Sequence, residues 1–112
     1  MYVIIWQFDV EPVHAAEFER TYGPEGSWAE FFRRSADYRG TRLFRDTEIP
    51  YRYLTFDYWT SRQAFQGFER EHAAEYQSLD GNFAAFSLHE EHLGAFVTSE
   101  GATANLDDHR DV

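Results

Sequence analysis

The 112-residue sequence contains no cysteine and no lysine. Without cysteine it has neither disulfides nor thiolate metal sites, and the redox state of its compartment cannot be inferred. It also lacks a glycine-rich phosphate loop, a nucleophile elbow and a dinucleotide fingerprint. The apolar stretch at its beginning is too short, and too soon interrupted by charge, for a signal peptide or a membrane span. We therefore expect a soluble, cytoplasmic protein with no membrane partner.

Basic residues are scarce. Ten arginines face 20 acidic residues, which gives a formal net charge of -10. Four of the acids and one arginine follow residue 98, so residues 1–98 are themselves acidic. Nucleic-acid binding needs a basic surface, and an acidic domain repels a phosphate backbone. The charge balance therefore argues against a nucleic-acid partner.

Aromatic residues, by contrast, make up 19% of the sequence. A chain of this length forms one domain with a modest core. Much of that core must therefore consist of rings.

The hydrophobic pattern predicts the element order βαββαβ. Strands are predicted at residues 2–10, 40–46, 51–59 and 90–97, and the two main helices at 12–22 and 61–79. A short helix is predicted to open on a capping box of Ser27 and Glu30. The DGN triplet at 80–82 is predicted to end the second main helix. From residue 99 the apolar pattern is lost, which predicts a mobile acidic tail behind a domain of residues 1–98.

The segment 51–68, YRYLTFDYWTSRQAFQGF, is the most informative part of the chain. Alternate residues of a strand point the same way. One such set is Tyr51, Tyr53, Thr55, Asp57 and Trp59. Thr60 is a good N-cap for the following helix, with Gln63 at the capping-box position. Trp59 then lies at a sheet edge under the start of a helix, where we expect a small-molecule site.

Two βαβ units in succession predict an α+β fold, a ferredoxin-like antiparallel sheet with helices on one face. The other face still contains large rings, and so short a chain has nothing left to cover them. Exposed apolar patches of that size usually mark an interface. We therefore expect a homodimer in which two sheets pack face to face as a dimeric α/β barrel.

Three segments carry a family resemblance: YVIIWQFDVEP at the start, GTRLFRDTEIPYRYLTFDYW across the hairpin, and WTSRQAF at the strand–helix junction. They resemble the antibiotic biosynthesis monooxygenase (ABM) domain of the dimeric α/β-barrel superfamily. The resemblance covers roughly residues 2–97, and its most specific part is Trp59, Ser61, Ala64 and Phe65. It implies a homodimer with one pocket per subunit between the helices and the sheet. Relatives oxidise polycyclic aromatics without metal or flavin, oxidise quinols, or degrade haem, and the fold alone does not decide between these activities.

The resemblance also implies roles for individual residues. Trp59 matches the tryptophan that lines the relatives' pockets. Where relatives use an asparagine on a pocket strand, the nearby positions here hold Gln7 and Thr55. Haem-degrading relatives place an axial histidine late in the second helix, whereas His72 lies earlier, with Tyr76 one turn later. We therefore expect no cofactor, with haem as the less favoured alternative.

We predict His72, Trp59 and Tyr76 as catalytic residues. His72 is the candidate base because an imidazole titrates near neutral pH. Trp59 would form the pocket wall, and Tyr76 or Arg52 would donate to a developing oxyanion. The predicted substrate-binding residues are Arg52, Tyr58, Phe65 and Phe68. Each candidate also has a purely structural interpretation, as a core ring, a dimer contact or, for Arg52, an exposed strand residue.

A metal site is not expected. His89 and His92 flank two glutamates, but positions three apart on a strand face opposite sides. Their spacing also differs from that of the zinc-protease helix motif.

Three functions remain open at this point. The first is a cofactor-independent monooxygenase that oxidises a small electron-rich aromatic or quinol with O2. The second is a non-catalytic dimeric module that binds a small hydrophobic ligand or responds to stress. The third, and least favoured, is a haem-binding or haem-degrading protein.

Overall fold

The structure, a computed structural model, describes residues 1–98. Its elements are β1 (Tyr2–Val10), α1 (Ala15–Tyr22), α2 (Ser27–Phe32), β2 (Tyr38–Arg45), β3 (Arg52–Trp59), α3 (Arg62–Glu71), α4 (Ala73–Phe83) and β4 (Ser87–Val97). Short 3-10 turns precede α1 and follow α4. The tail predicted from residue 99 lies outside the described residues, so the domain boundary at residue 98 stays a prediction.

The four strands form one antiparallel sheet in the order β2-β3-β1-β4. The central pair, β1 and β3, runs from Tyr2 opposite Trp59 to Asp9 opposite Arg52. This order, with the helices on one face, confirms the predicted α+β, ferredoxin-like fold. Within residues 1–98, no helix combines the length and the apolar character needed to cross a membrane.

The core lies between the helices and one face of the sheet. Its buried residues are Ile4, Phe8, Val10, Phe18, Tyr22, Trp28, Phe31, Phe32, Tyr53, Trp59 and Phe68. Nine of these eleven are aromatic, as the composition requires. Trp59 and Phe18 are completely buried. Rings of this size bury much apolar area each, and their offset and edge-on contacts add to that stabilisation.

The opposite face of the sheet, which we call the open face, carries the alternate strand residues. Its apolar members are Val3, Ile5, Phe44, Leu54, Phe56, Tyr58 and Phe96. Phe44 and Phe96 are 45% and 50% exposed. No element among residues 1–98 packs over this face.

The N-cap of α3 differs from the predicted one. Ser61, not Thr60, caps the helix, since the Ser61 hydroxyl accepts a hydrogen bond from the Ala64 backbone N–H at 3.1 Å. Thr60 instead donates to the Asp37 carboxylate at 3.0 Å. The predicted capping box of Thr60 and Gln63 was therefore wrong by one residue.

The capping box predicted for α2 was also wrong. Gly26 is the N-cap of α2, and Ser27 is its first helical residue and makes no capping hydrogen bond. A Cβ on Gly26 would lie 2.3 Å from the carbonyl oxygens of both Arg20 and Thr21. Only glycine fits where α1 and α2 approach so closely.

The second main helix, predicted as one helix over 61–79, is two helices that meet at His72. The bend allows both Phe68 and Tyr76 to pack on Phe31, with ring centroids 5.0 and 6.1 Å away. The second helix also continues to Phe83, past the predicted stop at 80–82. Packing of the Phe83 ring on the core outweighs the low helix propensity of that triplet. The β-strand ends lie within three residues of their predicted positions.

Candidate active site

A cavity of about 250 Å³ lies between the sheet and the helices. The strands contribute Trp6, Phe8, Thr55, Asp57 and Glu90, and the helices contribute Tyr22, Trp28, Phe32, Glu69, Tyr76 and Asp80. An aromatic wall with a few polar groups is the usual composition of a small-molecule site.

Asp57 is the carboxylate that lies inside this cavity. Strand alternation places it on the helix side of β3, between Thr55 and Trp59. The Thr41 hydroxyl donates a 2.6 Å hydrogen bond to Oδ1, and Thr41 in turn contacts the Tyr38 hydroxyl. Oδ2 has no hydrogen-bond partner within residues 1–98. The side chain keeps some accessible area because it faces the cavity, while protein surrounds it on the other sides.

Burial raises the pKa of Asp57 from 3.8 to about 6, and the Thr41 hydrogen bond opposes part of that rise. A low-dielectric environment disfavours the charged form of a carboxyl group. Asp57 therefore titrates close to neutral pH, which is the range that suits a general base.

Two phenols share the cavity with Asp57. Burial raises the pKa of Tyr22 to about 12. Burial also raises the pKa of Tyr76, and nearby carboxylates, Asp57 among them, add to the rise. The Trp28 indole N–H lies near enough to Tyr22 to oppose the rise in its pKa, but the two groups do not reach hydrogen-bond geometry. Both phenols are consequently protonated at neutral pH and can act as hydrogen-bond donors.

Three further carboxylates, those of Glu69, Asp80 and Glu90, belong to exposed residues and mark the mouth of the cavity. They come from α3, α4 and β4. Burial and the charge of Asp80 raise the pKa of Glu90, and His89 opposes part of that rise. Across the part of the chain that the structure describes, no basic side chain lines the cavity.

Of the predicted catalytic residues, Tyr76 lines the cavity and Trp59 does not. Trp59 is wholly enclosed and stands behind the cavity residue Phe32, with ring centroids 5.4 Å apart. Phe65 and Phe68 pack on Trp59 at 5.3 and 5.4 Å. These three rings support the cavity wall from behind.

His72, the predicted base, lies outside the cavity. It stands at the junction of α3 and α4, with its ring 4.5 Å from that of Phe68 and 5.9 Å from that of Phe31. Its position four residues after Phe68 and four before Tyr76 fits one helical stripe, but its ring packs on Phe68 and Phe31 and does not line the cavity that contains Asp57. His72 and Trp59 therefore do not share a cavity.

Arg52 and Tyr58 lie on the open face, because strand alternation directs them away from Asp57 and Trp59. Arg52 forms an ion pair with Asp9, at 2.8 Å from Nε to Oδ1. The charge of Arg52 is therefore paired with the Asp9 carboxylate. Neither Arg52 nor Tyr58 lines the cavity. Of the two residues considered for the asparagine position, Thr55 lines the cavity and Gln7 faces the open side.

Comparison with known proteins decides the family, because the model of the antibiotic biosynthesis monooxygenases matches residues 1–79. The chain belongs to the antibiotic biosynthesis monooxygenase family. The resemblance read from the sequence is thereby confirmed. No curated protein sequence matches the chain.

Solved structures agree with this membership of the ABM family at the level of the fold. A variant of SnoaB, a cofactor-independent oxygenase from Streptomyces nogalater, is 22% identical with a TM-score of 0.68, covering 88% of this chain and 93% of its own. A proposed antibiotic biosynthesis monooxygenase from Deinococcus radiodurans is 14% identical with a TM-score of 0.69, covering 89% and 94%. A NIPSNAP domain protein from Burkholderia xenovorans is 17% identical with a TM-score of 0.65, covering 89% and 96%.

The residues that line this cavity do not suit haem, the less favoured alternative. Within residues 1–98 no histidine lines it, and four carboxylates would face the anionic propionates of a haem. The same residues contain no group of three or more histidine or carboxylate side chains arranged to hold a metal ion.

Proposed function

We propose that this protein is a cofactor-independent monooxygenase that oxidises a small, electron-rich aromatic compound with O2. The observation that carries the proposal is Asp57, a carboxylate with a raised pKa in a cavity lined by aromatic rings. Its Oδ2 atom has no hydrogen-bond partner within residues 1–98. Membership of the ABM family and the likeness to SnoaB support the same chemistry.

Asp57 acts as the general base. For an anthrone-type substrate, Oδ2 takes a proton from the activated methylene, and the carbanion gives one electron to O2. The two radicals combine to form a C–O bond, and Asp57 returns its proton to the peroxide. Removal of the remaining C–H proton then breaks the O–O bond and forms the carbonyl group, and the leaving hydroxide takes up a proton to become water. Overall, the methylene group and O2 give a carbonyl group and one water molecule, and the substrate supplies all four electrons.

The phenol of Tyr76 supports the anion that forms in the first step. Its raised pKa keeps the proton on the phenol, so it donates a hydrogen bond to the substrate oxygen where negative charge collects. Donors placed at developing charge in a dry site are worth several kcal/mol of barrier. Tyr22, on the same cavity, can act in the same way.

The basic test is oxygen uptake with anthrone- and quinol-type compounds, each measured against its spontaneous rate without protein. Uptake above that rate supports the oxygenase. Binding of these compounds without any uptake would instead favour a non-catalytic ligand-binding module.

The pH dependence of turnover follows from Asp57. A base must be unprotonated, so the rate is expected to rise as the pH increases through about 6 and then level off. The Thr41 hydrogen bond lowers the pKa of Asp57, so Thr41→Val should move this midpoint to higher pH. Thr60→Val is the matched control, since it removes a surface Thr–Asp bond, and it should leave the midpoint in place. An unmoved midpoint in Thr41→Val would contradict the assignment of Asp57.

We also propose that the protein is a homodimer whose subunits pack through their open faces. Phe44 and Phe56 pack against each other at 5.2 Å, yet Phe44 remains half exposed. Phe96 adds a second half-exposed ring on β4. A second copy covers such a surface with the same surface, as a two-fold axis requires.

A charge placed on the open face should separate the subunits. Phe56→Arg is expected to give monomers in sedimentation at micromolar concentration, because the new charge would be buried in the interface. Val13→Arg, at an exposed apolar residue before α1, is the control that should stay dimeric. Sedimentation of the unaltered protein as a folded monomer would refute the dimer.

A further inference from the structure

The mouth of the cavity carries an excess of negative charge, which His89 near Glu90 offsets only in part. Glu69, Asp80 and Glu90 reach it from three different elements, and Asp57 lies inside. Within residues 1–98 no arginine or histidine forms an ion pair with any of the four. Four carboxylates without such an ion pair create a negative potential that repels anions and attracts cations.

The wall of the same cavity suits a cation independently of these charges. Six of its lining residues are aromatic: Trp6, Phe8, Tyr22, Trp28, Phe32 and Tyr76. Aromatic faces attract cations, tryptophan most strongly, and rings around a cavity are a known means of binding organic ammonium groups.

Trp28 adds a polar group that lacks a partner. It lines the cavity, is 8% exposed, and its indole Nε1 is buried without a hydrogen-bond partner among the described residues. A buried donor left unpaired is unfavourable. The N–H lies beside the Tyr22 hydroxyl and has almost no accessible area, so the donors that a ligand oxygen can reach are the phenols of Tyr22 and Tyr76.

The charge of the site also bears on the proposed reaction. Proton removal by Asp57 creates a substrate anion, and the three mouth carboxylates oppose that anion. A positive group on the substrate would offset this repulsion, because the deprotonated substrate would then be a zwitterion with its cation at the mouth.

We propose that the substrate is an aromatic or phenolic compound that bears a protonated amine. The aromatic part of the substrate would pack on the wall, an oxygen would accept from Tyr76 or Tyr22, and the ammonium group would lie where the rings of the wall meet Glu69, Asp80 and Glu90. This assignment rests on the proposed oxygenase function for the reaction but not for the binding.

Binding is tested without turnover, under nitrogen, by titration calorimetry at low salt. The probes are three hydroquinones that differ only in their side chain: aminoethyl, hydroxyethyl and carboxymethyl. The aminoethyl compound is expected to bind about tenfold more tightly than the hydroxyethyl one, and the carboxymethyl compound more weakly than both. Added salt should reduce the difference, since exposed charges are screened.

Two variants with equal charge changes locate the effect. The triple variant Glu69→Gln, Asp80→Asn and Glu90→Gln should lose the preference for the ammonium compound. The control triple variant Glu30→Gln, Glu48→Gln and Glu71→Gln alters exposed residues that do not line the cavity, and it should retain the preference. Equal binding of the three probes, or equal loss in both variants, would overturn the assignment.

Failure of this assignment is distinguishable from failure of the oxygenase. If the three probes bind equally and oxygen uptake still depends on Asp57, only the proposed ammonium group of the substrate is overturned. An ammonium preference without any oxygen uptake would support the amine site and remove the oxygenase.

Discussion

Replacing Asp57 with asparagine is expected to lower the rate of enzyme-dependent oxygen uptake by about 100- to 10,000-fold, the usual contribution of a general base. Asparagine has the size of aspartate and can still accept from Thr41 through its amide oxygen, but it cannot take a proton. The substrate should still bind, because the rings that line the cavity are unchanged. The loss should therefore appear in kcat rather than in KM.

Two comparisons make this result specific. His72→Ala should retain activity, since the His72 ring packs on Phe68 and Phe31 outside the cavity. Glu71→Gln, an exposed carboxylate of α3, should behave like the unaltered protein. Full activity in Asp57→Asn, or loss confined to His72→Ala, would transfer the role of base to another group.

The same Asp57→Asn variant is expected to be more stable than the unaltered protein at pH 7.5. The carboxyl has a pKa of about 6 in the folded protein and 3.8 as its ordinary value, so ionising it inside the fold carries an extra cost. This difference in pKa corresponds to roughly 3 kcal/mol in the free energy of unfolding once the pH is above both values. An amide carries no such cost. Urea unfolding at a fixed protein concentration measures the effect.

The effect of pH on this stability difference follows from the folded pKa of Asp57 being higher than the unfolded one. Between the two pKa values the folded state holds the proton that the unfolded state has lost, so the unaltered protein loses stability as the pH rises from about 4 to above 6. The advantage of Asp57→Asn should therefore shrink to roughly half at pH 5. Glu71→Gln should change the free energy of unfolding by less than about 0.5 kcal/mol at either pH. A destabilised Asp57→Asn at pH 7.5 would show that the carboxylate is a structural partner.

Greater stability together with lost activity is the signature expected of a functional carboxylate. If an amide at position 57 stabilises the fold as expected, this would support the proposal that Asp57 serves the reaction rather than the fold.

The fold was predictable because the strand pattern is strong. Alternating apolar residues in β1 and β3 set which side of each strand meets the helices, and the rings of that side fill the core. The helix details depended on contacts that sequence spacing does not contain. At the bend at His72, for example, the rings of Phe68 and Tyr76 on either side both pack on Phe31.

The site was predictable only in part. Tyr76 was named and lines the cavity. His72, at the bend, does not line the cavity. The alternation of side chains along β3 alone places Arg52 and Tyr58 on the opposite face from Trp59. Asp57, the base that we propose, was not predicted although it stands in the inward-facing set with Trp59. A lone carboxylate on the buried side of an aromatic strand was the available signal, but its burial and raised pKa arise from residues distant in sequence, such as Thr41.

The most direct measurement is a pH titration of Asp57 itself, by NMR of protein labelled with carbon-13 at the aspartate carboxyl groups. The Asp57 resonance is identified by its absence from the spectrum of Asp57→Asn. A titration midpoint near pH 6 is expected, and it should shift when an aromatic ligand enters the cavity. A midpoint near the ordinary aspartate value of about 4, unaffected by ligand, would contradict the central claim that a desolvated carboxylate faces the binding cavity.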